Sequence, residues 1–325
     1  MNMKKFNFFV VLLSIGLFLS ANLAYACDYC LLSQGISPLE SLQGSGIRLN
    51  GRYSLLKQAY NGRHKIDNPG AQEEFQTTEL TGFYGVSENL LLIVTLPYKR
   101  TRLKGDLLVD DAGNVSASTD RGRQQGLGDI PIMARYSFYK AHTLDSTTVI
   151  AGVWGIKLPT GKTDGRVEGG AEFLDSHLQI GTGSTDVLVG LSASHVAGPL
   201  SLSANLLGAI TGDGKAGETD HRFGNTLNYD LTAKYRLYPG VVGPAGAQAF
   251  FALGLNGEVM DREVEGGVEL RDSGGHKLFL TPGVQVSFAP HWSAEVSYHL
   301  PIYVNMNGTQ LVEDYKVMGG VTYIF

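Results

Sequence analysis

Cysteine is nearly absent from this chain of 325 residues: Cys27 and Cys30 are the only two. No disulfide framework can therefore hold the fold together, and two thiols are too few for a closed zinc site. No His follows Cys30, which excludes covalent haem attachment. Charge is scarce as well, with Asp, Glu, Lys and Arg at 18% and a net charge of −5. No basic stripe is present, so nothing marks a nucleic-acid partner. After residue 26 no apolar run reaches the ~20 residues that a spanning helix requires.

What is abundant points another way. Gly occurs 42 times and Tyr 15 times, a composition of many strands and tight turns. Lys4 and Lys5 precede an apolar run over 6–19, and Ala24-Tyr25-Ala26 supplies small residues at both peptidase positions. These are the parts of a secretory signal peptide over 1–26. A segment 27–45 with the Cys27-Asp-Tyr-Cys30 pair follows, and a main domain occupies 46–325. In an oxidising periplasm Cys27 and Cys30 suit a local disulfide, with thiol redox or metal chemistry and lipidation of Cys27 as alternatives. The lipidation box wants Leu three residues before the Cys, where Ala24 stands. The run 31–39 suggests that 27–45 tucks into the periplasmic mouth as a small stopper.

Period-two alternation divides the main domain into twelve strand candidates. They fall at 46–58, 73–86, 89–101, 127–140, 147–158, 185–197, 200–209, 226–238, 247–260, 275–288, 291–303 and 314–325. Each is near the ~10 residues of a tilted spanning strand. The links alternate too. Short ones sit at 87–88, 141–146, 198–199, 240–246 and 289–290, and long ones at 59–72, 102–126, 159–184, 210–225, 261–274 and 304–313. That ordering predicts an all-β fold: a single antiparallel barrel across the outer membrane, with short periplasmic turns and long extracellular loops. The last strand alternates to the final residue and resembles the closing strand of outer-membrane barrels, in which the terminal aromatics, here Tyr323 and Phe325, are read by the insertion machinery.

Lipid cannot hydrogen-bond, so the apolar set must face outward and the polar set inward. The expected lumen residues are Arg48, Arg52, Glu79, Lys99, Asp129, Arg135, Lys157, Asp186, Asp230, Lys234, Arg236, Glu258, Lys277, Glu295, His299 and Lys316. Their mixed signs fit either a hydrated path or a network of paired charges, and Lys316 is expected beside Glu295. Tyr98, Tyr136, Trp154, Trp292, Tyr303 and Tyr315 lie near strand ends and suit interfacial girdles.

Three segments carry a family resemblance. Gly126-Leu127-Gly128-Asp129-Ile130, Leu158-Pro159-Thr160-Gly161-Lys162 and Gly181-Thr182-Gly183-Ser184-Thr185-Asp186 recur, in this order, in the outer-membrane transporter family named for the meta-pathway of phenol degradation. The chain resembles that family over most of its barrel. The resemblance implies a barrel that passes small, often aromatic or apolar, solutes.

Other motifs carry less. Gly155 to Thr163 imitates a phosphate-binding loop, but Ile156 stands where the first Gly is required and no helix follows. Ser297 and His299 share a strand face, though on the lumen side rather than the lipid side where barrel phospholipases work. His195 lies close to the lipid face without a Ser partner on its side. Asp110, Asp111, Asp164, Glu168, Glu172, Asp175, Asp213 and Asp220 acidify the outer loops without a calcium-loop spacing. Loop 102–126 is long enough to gate a pore. The reading is a passive channel for small solutes, with no catalytic site, metal or cofactor, in contact with membrane lipid, lipopolysaccharide and the insertion machinery. An accessory barrel serving a periplasmic redox protein and a phospholipase-type hydrolase are the alternatives.

Overall fold

The computed structural model describes residues 44–110, 114–239, 246–288 and 291–325. The signal-peptide assignment, the Cys27 and Cys30 pair, the stopper over 27–45 and Asp111 lie outside the described residues. Among the described residues twelve long strands form the wall. They are β1 Gly46–Asn61, β2 Glu73–Gly85, β3 Leu90–Lys104, β4 Ile130–His142, β5 Ser146–Leu158 and β6 Asp186–Ala197, followed by β7 Leu200–Ile210, β8 Thr226–Tyr238, β9 Gln248–Met260, β10 Gly275–Phe288, β11 Trp292–Met306 and β12 Thr309–Ile324. Each pairs antiparallel with its sequence neighbour, and β12 returns to β1 with Gly46 opposite Ile324 and Leu55 opposite Tyr315. The sheet therefore closes and leaves no edge, as a spanning sheet must.

Alternation sets the two faces. On β1, Arg48, Asn50 and Ser54 are buried while Ile47 and Leu49 are exposed. On β6, Leu188 is buried between the exposed Val187 and Val189. The exposed side chains form an apolar outer belt, which belongs in hydrocarbon rather than water. Aromatic rings collect at its periplasmic border, where Tyr323 packs 4.7 Å from Trp292 and 5.6 Å from Phe325. A second group marks the outer border: Tyr229 donates to or accepts from His276 at 2.8 Å, and His276 meets Tyr303 edge-on at 5.2 Å.

Apolar and polar side chains share the interior. Phe83, Leu91, Ile93, Met133, Val153, Leu188 and Leu207 make one buried apolar stripe across β2 to β7. On β8 to β12 Asp230, Thr232, Asn256, Glu258, Lys277, Thr281, Ser297, His299 and Lys316 are buried, with Phe279 and Met318 among them.

Two boundaries differ from expectation. The segment 304–313 is not a long outer loop: β11 runs to Met306 and β12 begins at Thr309, so Asn307 and Gly308 alone connect them. β-bulges at Ile302 and Asp314 are the cause. Each inserts one residue and inverts the inward phase, which hides the strand from a strict period of two. Loop 102–126 is also shorter than it reads. Residues Arg121–Leu127 pair with β3, and Leu107–Val109 with Val115–Ala117 form a small hairpin above it. Loops 211–225 and 261–274 join through a four-stranded sheet of short segments.

Candidate functional site

Glu258 on β9 lies directly opposite Lys277 on β10, and Glu313 and Lys316 share the inner face of β12. Their heads meet inside the barrel. Lys277 Nζ reaches Glu313 at 2.8 Å and Glu258 at 3.2 Å, while Lys316 Nζ reaches Glu313 at 3.1 Å and also binds Glu258. All four are buried. Burying four charges is costly, and the alternation of signs with two partners each is what offsets it. The Phe279 ring lies 4.5 Å from Lys316 Nζ and screens the network from below. Lys316 does not pair with Glu295. In the ladder Lys316 faces His299 and Glu295 faces Gly320, four residues further along, where Glu295 binds Arg48 instead.

Above this network is an outer chamber of about 300 Å³. Its apolar lining is Leu56, Phe75, Leu107, Val109, Leu270 and Leu311. Among these stand Glu73, Asp106, Asp175, Glu263, Asp272 and Glu313, against only Lys277 and His177. His177 lies 3.0 Å from Glu73 and 3.4 Å from Asp175. Burial works against its charge, but the two carboxylates prevail and hold its pKa well above the ordinary histidine range. Burial pushes the Asp106 carboxyl up to about 6, with Glu73 and Asp175 adding to the shift and His177 opposing it.

Loop 159–185 bends into the barrel beside the chamber. Leu174 and Leu178 pack on Phe75 and Leu103 from the interior faces of β2 and β3. Thr101 donates to the Leu178 carbonyl at 2.8 Å, and Gln179 donates to the Leu174 carbonyl at 2.7 Å. A buried polar knot fastens the loop at its root. Asp129 accepts from the Gly161 N–H at 2.9 Å and from both the N–H and hydroxyl of Thr182 at 2.8 and 2.7 Å. Lys157 binds Asp186 and lies 3.5 Å from Asp129, and Asp186 accepts from Ser184 at 2.7 Å. Gly161 and Gly181 touch: a Cβ on Gly161 would sit 2.6 Å from the Gly181 Cα. The three segments noted in the sequence thus meet at one place.

Residues 66–305 match the family described as MetA-pathway of phenol degradation. The chain belongs to this family. No curated protein matches the chain. Among solved structures it is similar to an outer membrane channel from Pseudomonas putida F1, at 15% identity and a TM-score of 0.63, over 87% of this chain and 96% of that one. Weaker similarity extends to the beta domain of the Bordetella autotransporter BrkA (11% identity, TM-score 0.46, 86% and 100% covered). The CymD monoaromatic hydrocarbon channel gives 10% identity and a TM-score of 0.39, with 94% and 95% covered. The fold is that of a bacterial outer-membrane barrel, and the family member described here resides in that membrane.

The remaining charged residues fall at several levels of the interior. Glu79 accepts from Asn50 at 3.5 Å, Arg52 donates to Thr77 at 3.5 Å, and Asp230 accepts from Asn205 at 3.2 Å. Lys234 donates to Gln285 at 3.4 Å, Arg236 reaches the Gly198 carbonyl at 3.4 Å near the periplasmic rim, and Arg135 is buried. Lys99 is half-buried, its stem against Gly128. His299 contacts Ser297 and Thr281, each at 3.2 Å, inside the barrel. Sequence reasoning missed Glu313, which fell in a supposed loop, and Thr182, whose role depends on segments distant in the chain. It also missed the Glu73–His177 pair, since 104 residues separate them.

Proposed function

We propose that this barrel is a passive channel for small solutes, with the outer chamber as its first binding station. The observation that carries the reading is the outer chamber of a closed barrel, lined by apolar side chains and carboxylates together. Such a lining offers contacts both to an apolar ring and to its polar substituent. Arg48, Arg52, Glu79, Lys99, Asp129, Arg135, Lys157, Asp230, Lys234, Arg236, Lys277, Glu295, His299 and Lys316 are assigned as its polar lining. The family description supports aromatic solutes. Tyr323 and Phe325 are assigned as the signal for the insertion machinery, and the outer loops as the contact with lipopolysaccharide.

No catalytic role is assigned. The interior Ser297–His299 pair has Thr281, not a carboxylate, as the third member, so nothing supports an imidazolium in the way a nucleophile requires. Swelling of proteoliposomes in graded sugars and aromatic acids tests the channel. Uptake that falls with solute size and favours aromatic over aliphatic solutes supports it. Vesicles that stay sealed to all of them favour the accessory role built around Cys27 and Cys30.

A further inference from the structure

The outward row of β3 changes character along its length. Leu92, Val94, Leu96 and Tyr98 are exposed and apolar, and the next outward residues are Arg100 and Arg102. From Leu90 to Arg100 the strand rises about 3.3 Å per residue at a tilt of about 40°, and so climbs about 25 Å along the membrane normal. That is the height of the apolar band of an outer-membrane barrel. Arg100 therefore stands where hydrocarbon gives way to headgroups, and its guanidinium lies 5.8 Å from the centre of the Tyr98 ring.

The neighbouring segment Arg121–Leu127 repeats the change. Exposed Leu127 is opposite Tyr98, Gln125 opposite Arg100, Arg123 opposite Arg102 and Arg121 opposite Lys104. Directly opposed residues of an antiparallel pair share a face, so Arg100, Arg102, Lys104, Arg121 and Arg123 gather on one outer surface. The ladder alone unites them, since a loop separates the two groups in the chain. Like charges set directly opposite each other destabilise a sheet, and two such pairs stand side by side here (Arg102 with Arg123, Lys104 with Arg121). Little within the protein offsets them. Glu74 binds Lys104, accepts from Gln72 at 2.7 Å and lies 3.9 Å from Arg102. Among the described residues Arg100, Arg121 and Arg123 form no ion pair. Arg100, Arg102 and Arg123 line a cleft of about 160 Å³, with Glu74, Gln76 and Thr101 completing its wall.

We propose that this surface is a binding site for lipopolysaccharide, its arginines holding a phosphate of the lipid A anchor in the cleft. The acyl chains lie along Leu92, Val94, Leu96, Tyr98 and Leu127. The proposal rests on the outer-membrane location and on neither the chamber nor a solute path. Charge complementarity selects the occupant. The outer leaflet of that membrane presents a phosphorylated glycolipid at the level of Arg100, and the planar guanidinium fork matches a phosphate with two parallel bonds. A phosphate seated between Arg102 and Arg123 also relieves the repulsion that the ladder builds in.

Native mass spectrometry of the detergent-folded protein, titrated with bisphosphorylated lipid A, tests this. The wild type should retain lipid A as a discrete complex. Arg100→Gln, Arg102→Gln and Arg123→Gln together should weaken its binding by about tenfold or more, because charge-assisted bonds to phosphate are the strong ones. Arg123→Glu, a single exposed change that leaves the ladder paired, should do the same. Gel mobility before and after boiling verifies that each variant is folded. Removing as many cations from exposed sites in other outer loops, by Lys65→Gln, Lys215→Gln and Arg271→Gln, should leave binding unchanged. Lipid A stripped of its phosphates should bind the wild type and the triple variant alike and weakly. Phosphatidylglycerol at equal charge should not displace lipid A. A wild type that retains no lipid A, binding that survives both patch variants, or equal weakening by the loop control overturns the site. Tight binding of the stripped lipid overturns it too, and so does displacement by phosphatidylglycerol, which would show a general anionic-lipid surface.

Discussion

Glu313 holds two lysine ammonium groups at once, within 2.8 Å of Lys277 and 3.1 Å of Lys316. Removing its charge leaves Glu258 alone against two buried cations. Glu313→Gln is therefore expected to lower stability by about 3–5 kcal/mol, the usual cost of breaking a buried network from one side. The urea midpoint of the detergent-folded protein measures it. Asp106 and His177 give the chamber a pH dependence of the same sign in two different pH windows. Asp106 titrates near 6 in the fold and near 3.8 when unfolded, so the folded state holds an extra proton between those values. Stability is lost there as pH rises, and Asp106→Asn should abolish that loss. His177 is raised, so its contribution is full below about pH 6.5 and fades as pH rises through its higher folded value. Thermal unfolding of the wild type and Asp106→Asn at pH 4 and pH 7 separates the two.

Loop 159–185 folds into the interior, and the Gly161–Gly181 contact is part of what holds it there. Gly161→Ala forces a Cβ against the Gly181 backbone at 2.6 Å. The expected result is a loss of about 1–3 kcal/mol, as for other overpacked sites, together with a larger single-channel conductance as the loop withdraws. An unchanged conductance would show that the loop is not the constriction. The strands themselves were legible from alternation: β8 and β10 fall within the residues read from the sequence. The errors have physical causes. Bulges at Ile302 and Asp314 invert the phase, and with it went Glu313. Leu188 faces inward between Val187 and Val189, so a run of three apolar residues conceals the apolar inner stripe. The knot joining Asp129, Gly161 and Thr182 could not be read at all, because spacing along a chain carries no information about which outer loop folds inward.

At the scale of the whole molecule, closure and the mixed lining of the outer chamber are the two properties from which function follows. Closure lets the sheet live in lipid, and β12 supplies it by meeting β1 along its full length. The mixed lining gives one passage two chemistries. Deleting Tyr323 to Phe325 should leave the closing strand short and lower the yield of heat-modifiable barrel, read by gel mobility before and after boiling. The central claim is that a solute path traverses this barrel, and the current through a single copy in a planar bilayer tests it most directly. The expected result is discrete conductance steps from the wild type, enlarged by Gly161→Ala. A folded, heat-modifiable barrel that inserts and yet carries no current in either form would contradict it.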